Sequence, residues 1–202
     1  IVDEGDPRRI NAALLIGSYL VLWAGYSVAS VSSMLHGFTR SCPLYQTEGL
    51  DIFPDTITLV DVLRGLGRFQ SLGLLRPDSM DPALIEHYED PENGDIDWII
   101  DGMLLGFAGP DHTSLPNFIR FAQDCNVRAV VRLNEHEYDP AGLEAAGIRH
   151  LDLPMIDGST PSLDQIRQFY AFAKEVIAGG GALAVHCRAG LGRTGTMIGS
   201  YL

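Results

Sequence analysis

The chain has 202 residues, 46% of them hydrophobic, with a formal net charge of -12 and a sequence pI of about 4.7. That is enough apolar material for one large domain or two small ones with a real core. The acidic balance argues against a protein that clamps a nucleic-acid backbone or an anionic lipid surface, and it suits a partner that carries basic residues.

Residues 12–23 form the longest apolar stretch, interrupted by Gly17, Ser18 and Tyr19. It is shorter than the roughly 20 residues of a membrane span, so a buried helix, apolar nearly all round, is expected there. A second, shorter helix is expected over residues 27–35, after Gly25. Residues 56–72 place Ile57, Val60, Leu63 and Leu66 near helical spacing, with Asp55 as candidate N-cap and Gly73 as stop. From Glu86 to Asp97 the chain turns acidic around Pro91 and Asn93-Gly94, and this shift marks the expected domain boundary. Beyond it, short apolar runs at 104–108, 129–133, 149–153 and 182–185 alternate with helical patterns at 115–125, 140–146, 162–178 and 194–202. Strand–helix alternation of this kind predicts an α/β domain with a largely parallel sheet. The run 182–185 is wholly apolar and reads as a central strand covered on both faces.

Cys42, Cys125 and Cys187 are few, odd in number and far apart, so neither a disulfide framework nor a CxxC metal pattern is present. A reducing intracellular compartment is the expectation. The pentapeptide Ile16-Gly17-Ser18-Tyr19-Leu20 recurs as Ile198-Gly199-Ser200-Tyr201-Leu202. If the two copies correspond, Asn11 stands where the second has Arg193, and Gly5 where it has Cys187. The first copy is then a relative of the second without its chemistry.

The chemistry is concentrated in His186-Cys187-Arg188-Ala189-Gly190-Leu191-Gly192-Arg193-Thr194. A buried strand ends at His186 and a helix starts near Thr194. Gly190 and Gly192 between them permit backbone conformations closed to other residues. Such a loop turns successive N–H groups inward and adds the positive end of the helix dipole, which makes a cradle for a dianion. Cys187 sits at its base, where the same field favours a thiolate. Arg193 offers a planar fork to two phosphate oxygens and stabilises the transferring group. The Thr194 hydroxyl can hydrogen-bond the sulfur, and His186 orients the loop. No metal or other cofactor is required. The chemistry also needs an acid for the leaving oxygen. Asp157 in Met155-Ile156-Asp157-Gly158-Ser159-Thr160-Pro161 is one candidate, since that loop can reach over the carboxyl end of the sheet. Asp152, inside the preceding apolar run, is the competitor, and an ordinary Asp-Gly turn is the alternative role for Asp157.

The string His186–Thr194 with Gly195-Thr196 resembles the dual-specificity branch of the protein tyrosine phosphatases. More widely, the chain resembles the cell-division-cycle-fourteen phosphatases, which act in mitotic exit. The matching pieces are Glu92-Asn93-Gly94-Asp95-Ile96-Asp97-Trp98-Ile99, Phe107-Ala108-Gly109-Pro110, Val131-Arg132-Leu133-Asn134, Asp157-Gly158-Ser159-Thr160-Pro161 and residues 184–196, with Asn11-Ala12-Ala13 and Ile16-Gly17 ahead of them. The resemblance implies a cysteine-dependent phosphatase fold in two tandem phosphatase-like domains, a non-catalytic one in residues 1–92 and a catalytic one in residues 93–202. It implies Cys187 as nucleophile, Arg193 as phosphate clamp and Asp157 as general acid. It implies phosphoprotein substrates with proline after the phosphoserine and a basic residue shortly beyond, read by an acidic groove at Glu86, Glu89 and Asp95. It also implies action in the nucleus or cytoplasm, with the centrosome as a further site.

Three features depart from that pattern. The segment between Pro110 and Leu115 is short, residues 176–181 carry extra glycine, and the chain stops at Leu202, before further helices and a glutamine-bearing segment that positions the hydrolytic water in the family. Both domains are therefore expected to be incomplete here, and the segment alone to be poorly soluble and weakly active. Two other readings compete. A phosphoinositide phosphatase would favour an additional lysine where Leu191 stands. A phosphoprotein-binding module would use the loop without turnover.

Overall fold

The computed structural model describes residues 8–39, 57–75, 81–90 and 95–202. The chain divides into two compact units, Ile1–Met80 and Asp81–Leu202. In the first, α1 (Arg8–Leu22), α2 (Val28–Thr39) and α3 (Leu59–Ser71) enclose a small core of Ile10, Ala13, Val21, Val31, Leu59 and Leu63. Helix α3 begins with a capping box: Thr58 accepts from the Asp61 N–H, and the Asp61 carboxylate accepts from the Thr58 N–H at 3.1 Å. That cap belongs to Thr58; the expected cap, Asp55, lies outside the described residues. Gly73 does end the helix, in the left-handed conformation at φ 71°. The expectation of an all-round buried α1 is corrected. Leu15, Ile16, Tyr19 and Trp23 are exposed, because two neighbouring helices cover only one stripe of it.

In the second unit α4 (Pro82–Glu89) precedes a five-stranded sheet of order β1-β2-β5-β3-β4. The strands are β1 (Ile96–Ile100), β2 (Leu104–Ala108), β3 (Val127–Arg132), β4 (Arg149–Asp152) and β5 (Ala182–Cys187). All described pairings are parallel except β1 with β2. Helices α5 (Leu115–Asp124) and α6 (Ala141–Ala145) cover one face of the sheet. Helices α7 (Leu163–Ala178) and α8 (Gly192–Tyr201) cover the other. This is the expected α/β arrangement, with β5 buried along its whole length between β2 and β3.

Two elements are not among the expected ones. Strand β1 carries Asp97 on its solvent side and so has no continuous apolar run, as suits an edge strand. Helix α4 starts on the Asp81 side chain, which accepts from the Ala83 N–H at 3.0 Å, and Pro82 occupies its first turn. Its second half falls in the acidic shift that marked only an expected domain boundary. The two copies of the pentapeptide both lie on helices, α1 and α8, but they turn different residues inward: Gly17 is buried and Ile16 exposed, whereas Ile198 is buried and Gly199 exposed. Among the described residues no helix is long and apolar enough to cross a membrane.

Candidate active site

Alternation along β5 decides what faces where. Leu183, Val185 and Cys187 belong to the core shared with α7 and α8, while Ala182 and Ala184 join the core on the α5 and α6 face. His186 follows the second set and lies against Phe107, with ring centres 4.9 Å apart. The parallel strands present their carboxyl ends at one edge, and the loops leaving that edge carry the site.

The loop from Cys187 to Thr194 is moulded onto the end of β2. The Gly109 N–H donates to Arg188 O at 3.1 Å. Gly190 has φ 72°, and a Cβ there would lie 2.5 Å from the Phe107 carbonyl, so only glycine fits. Helix α8 then starts with no side chain on its N-terminus, which leaves its first N–H groups for an anion. Burial raises the pKa of the Cys187 thiol. The Thr194 hydroxyl, the N–H groups of Thr194 and Gly190 and the charge of Arg193 together lower it further, and the net position is below the ordinary thiol value. Thr194 Oγ1 is buried with no well-aligned hydrogen-bond partner among the described residues, and the nearby sulfur is what it acts on.

Arg193 is almost fully buried, which is costly for a charge that lacks partners. Its Nη1 donates to Met155 O at 3.0 Å, and its Nε lies 3.2 Å from Asp157 Oδ1. That second approach is misaligned for a hydrogen bond, so Nε is left to donate to an incoming oxygen. The structure thus brings Cys187, Arg193, Thr194 and Asp157 together. Asp157 heads an Asp-Gly turn with Gly158 at φ 74° and is 78% exposed at the mouth of the loop. Arg188, Ala189, Leu191 and Gly192 are exposed on the rim, and Gly190 is half-buried. Glu135, which the sequence reading missed, also stands there, with Oε2 3.9 Å from Arg193 Nη1.

Asp152 is committed elsewhere. Its two carboxylate oxygens accept from Nε and Nη2 of the fully buried Arg132 at 2.7 and 3.0 Å. The third Arg132 arm donates to Tyr138 O at 2.7 Å, and the guanidinium stacks 4.6 Å over the Tyr138 ring. Burial raises the Asp152 pKa, but the Arg132 hydrogen bonds and the surrounding positive charge lower it more, to below the usual carboxylate range. Asp152→Ala leaves the buried guanidinium uncompensated and is expected to cost about 3 kcal/mol of stability at neutral pH. Replacing the pair together by Arg132→Met and Asp152→Leu should cost far less. The folded pKa lies below the unfolded value near 3.9, so this stabilisation is whole above that pH and drains as pH falls beneath it. Urea unfolding across that range should therefore show a shallower acid loss for Asp152→Asn than for the wild type. Parallel curves would refute the assignment.

Glu86 lies exposed on α4, and the side chain of Glu89 lies outside what is described. The Asp95 carbonyl accepts from the Ala108 N–H at 3.1 Å, and Ala108 pairs with Cys187 across β2 and β5. Two strand spacings, roughly 10 Å, therefore separate the Asp95 backbone from the site cysteine.

A buried cysteine whose thiolate is favoured beneath an uncapped helix, with a buried arginine at the far end of its loop, is an arrangement suited to the chemistry of the cysteine-dependent phosphatases. The family model described as "Polymorphic toxin system, DSP-PTPase phosphatase" matches residues 106–202. The chain is 36% identical over 206 residues to the dual specificity protein phosphatase CDC14AB of Danio rerio, covering 96% of this chain and 33% of that protein. It is 35% identical to CDC14A of Homo sapiens, covering 96% and 34%, and 33% identical to the tyrosine-protein phosphatase CDC14 of Saccharomyces cerevisiae, covering 96% and 38%. The chain is similar over 96% of its length to the CDC14 type of dual-specificity phosphatases and spans between 33% and 38% of the length of these three relatives.

Proposed function

We propose that the protein hydrolyses phosphoserine and phosphothreonine at proline-directed sites, and phosphotyrosine, through a cysteinyl-phosphate intermediate. The observation that carries this reading is the Cys187 thiolate environment at the N-terminus of α8. The phosphate binds on the inward N–H groups and the Arg193 fork. Cys187 Sγ attacks phosphorus as the P–O bond to the substrate breaks, and Asp157 gives its proton to the departing oxygen. Water then attacks the phosphocysteine, Asp157 takes a proton back, and the thiolate leaves with the Thr194 hydroxyl near its sulfur. Exposed Leu191, where a phosphoinositide enzyme would favour lysine, supports protein substrates over inositol lipids. Similarity to the CDC14 phosphatases supports a role in cell-cycle control, on phosphoproteins of the nucleus or cytoplasm.

The acidic surface of α4 and the nearness of Asp95 to the cysteine support selection of a basic residue after the phosphosite, through Glu86, Glu89 and Asp95. Phosphate release should be compared for four substrates: a phosphoserine-proline peptide with a following lysine, its alanine variant, a phosphotyrosine peptide and phosphoinositide vesicles. Release is expected from all three peptides, with the lysine peptide preferred over its alanine variant. That preference should fade at high salt and on neutralising the three acids together. Turnover of the vesicles alone would overturn the proposal. Tight peptide binding without release would assign the chain to phosphoprotein binding.

A further inference from the structure

Glu135 stands at the mouth of the site and takes no part in the proposed chemistry. Its side chain is 74% exposed, with Oε2 3.9 Å from Arg193 Nη1. The loop that carries it is tied on both sides. Two residues earlier, the Leu133 N–H donates to His186 O at 2.9 Å, and Leu133 O receives the Met155 N–H at 2.8 Å. Three residues later, Tyr138 O receives Arg132 Nη1 at 2.7 Å. Glu135, His136 and Glu137 form the exposed crest between these anchors. His136 lies toward Asp152, 3.6 Å away, so among the described residues Arg193 is the cation within ion-pair reach of Glu135.

A bound substrate changes the surroundings of that carboxylate. Once a phosphate dianion lies on the Arg193 fork, the guanidinium charge is taken up, and Glu135 faces two negative charges at close range. Asp157 avoids the same repulsion, because as the acid it carries a proton at that stage. A cation brought by the substrate itself would offset the repulsion at Glu135. Topology places that cation in the peptide. The sheet order β1-β2-β5-β3-β4 sets the Asp95 side and the Glu135 side on opposite sides of β5, whose end carries Cys187. Helix α4, with Glu86, packs against β1. A peptide whose residues after the phosphosite run toward Asp95 and α4 therefore sends its preceding residues over the end of β3, toward Glu135. In an extended peptide alternate side chains share a face. The second residue before the phosphoserine thus points the same way as the phosphoserine, roughly 7 Å from it, and the first points away.

We propose that Glu135 is a specificity-determining residue that selects a lysine or arginine two positions before the phosphosite. It works by penalty as much as by attraction: a substrate without a cation there leaves the carboxylate unpaired beside the bound phosphate. The proposal rests on the reading above in taking phosphopeptides as the ligand and in sending their later residues toward Asp95.

The test uses the full chain and fluorescent peptides in which a phosphonate, with CH₂ in place of the bridging oxygen, stands for phosphoserine. Such peptides bind without being cleaved, so affinity is read by fluorescence anisotropy. One series carries lysine, alanine or glutamate two positions before the phosphonate. A further peptide carries its lysine after it. The wild type should bind the upstream-lysine peptide about threefold more tightly than the alanine peptide at low salt, the scale of one exposed ion pair, and the glutamate peptide least tightly. Glu135→Gln should bring the upstream lysine and alanine peptides to equal affinity while keeping the preference for downstream lysine. Glu135→Lys should invert the order, with the glutamate peptide bound better than the alanine one. A wild type that does not distinguish upstream lysine from alanine would overturn the proposal, as would a preference unchanged in both variants. Loss of the downstream preference instead of the upstream one in Glu135→Gln would also overturn it, since the peptide would then run the other way. Phosphate release from the matching phosphoserine peptides separates this from the phosphatase reading. Lysine-selective binding without release would reject hydrolysis and uphold the role of Glu135, whereas no binding of any phosphonate peptide would reject both.

Discussion

Cys187→Ser is expected to abolish phosphate release from a generic aryl phosphate while leaving phosphate binding intact. The loss should be on the order of 10⁶, the scale reached when an enzyme loses its covalent nucleophile. The field that favours a thiolate here, from two backbone N–H groups, a hydroxyl and Arg193, is far too weak to ionise a serine hydroxyl. The cradle itself does not depend on sulfur. Its donors are backbone groups held by Gly190 and by the Gly109–Arg188 bond, and by a guanidinium anchored on Met155 O. Removing a negative sulfur from beneath the anion should, if anything, tighten binding. Phosphate release and calorimetric titration with phosphate, run on the same variant, separate the two effects. Turnover retained by the serine variant would dismiss Cys187 as nucleophile. Lost binding would mean that the thiolate is part of what holds the loop open.

The loop was legible in the sequence because all its chemistry is local. An apolar strand, two glycines and an arginine within nine residues leave little freedom, and the structure has the strand–loop–helix that this pattern predicts. The strands of the parallel sheet were legible for a similar reason, since β2 and β5 are largely buried on both faces and read as apolar runs, and β3 carries the apolar stretch Ala129-Val130-Val131. What supports the site from behind was not legible. Arg132, Asp152 and His186 meet because β3 lies between β4 and β5 in a register that pairs Arg132 with both partners. Register is a property of strand pairing, and nothing within Val131-Arg132-Leu133 announces it. Tyr138 was invisible for another reason: it sits in a polar loop, Glu135-His136-Glu137-Tyr138-Asp139, where one aromatic residue has no periodic neighbours to mark it as buried. The exposed face of α1 misled in the opposite direction. Composition reports how apolar a segment is, whereas burial depends on how many neighbours come to cover it.

Asp157→Asn is expected to slow hydrolysis of phosphoserine peptides by on the order of 10²–10⁴ and that of an activated aryl phosphate much less. One carboxylate ends β4 and another follows it, and their surroundings give them different work. Asp152 spends both oxygens on Arg132, and its depressed pKa makes it a poor proton donor near neutrality. Asp157 is exposed and keeps one oxygen beside Arg193 Nε, next to where a phosphate oxygen would bind. The chain between them is tied down: Leu153 N donates to Arg132 O, Met155 N donates to Leu133 O, and Met155 O receives Arg193. The loop therefore delivers Asp157 to the arginine two residues after its last tie, with Gly158 supplying the turn. An alkyl oxygen leaves as a strong base and needs its proton in the transition state, whereas an aryl oxygen leaves nearly unaided, so the asymmetry between substrates identifies the role. Equal losses on both substrates would remove Asp157 from the reaction and leave it as the residue that starts a turn.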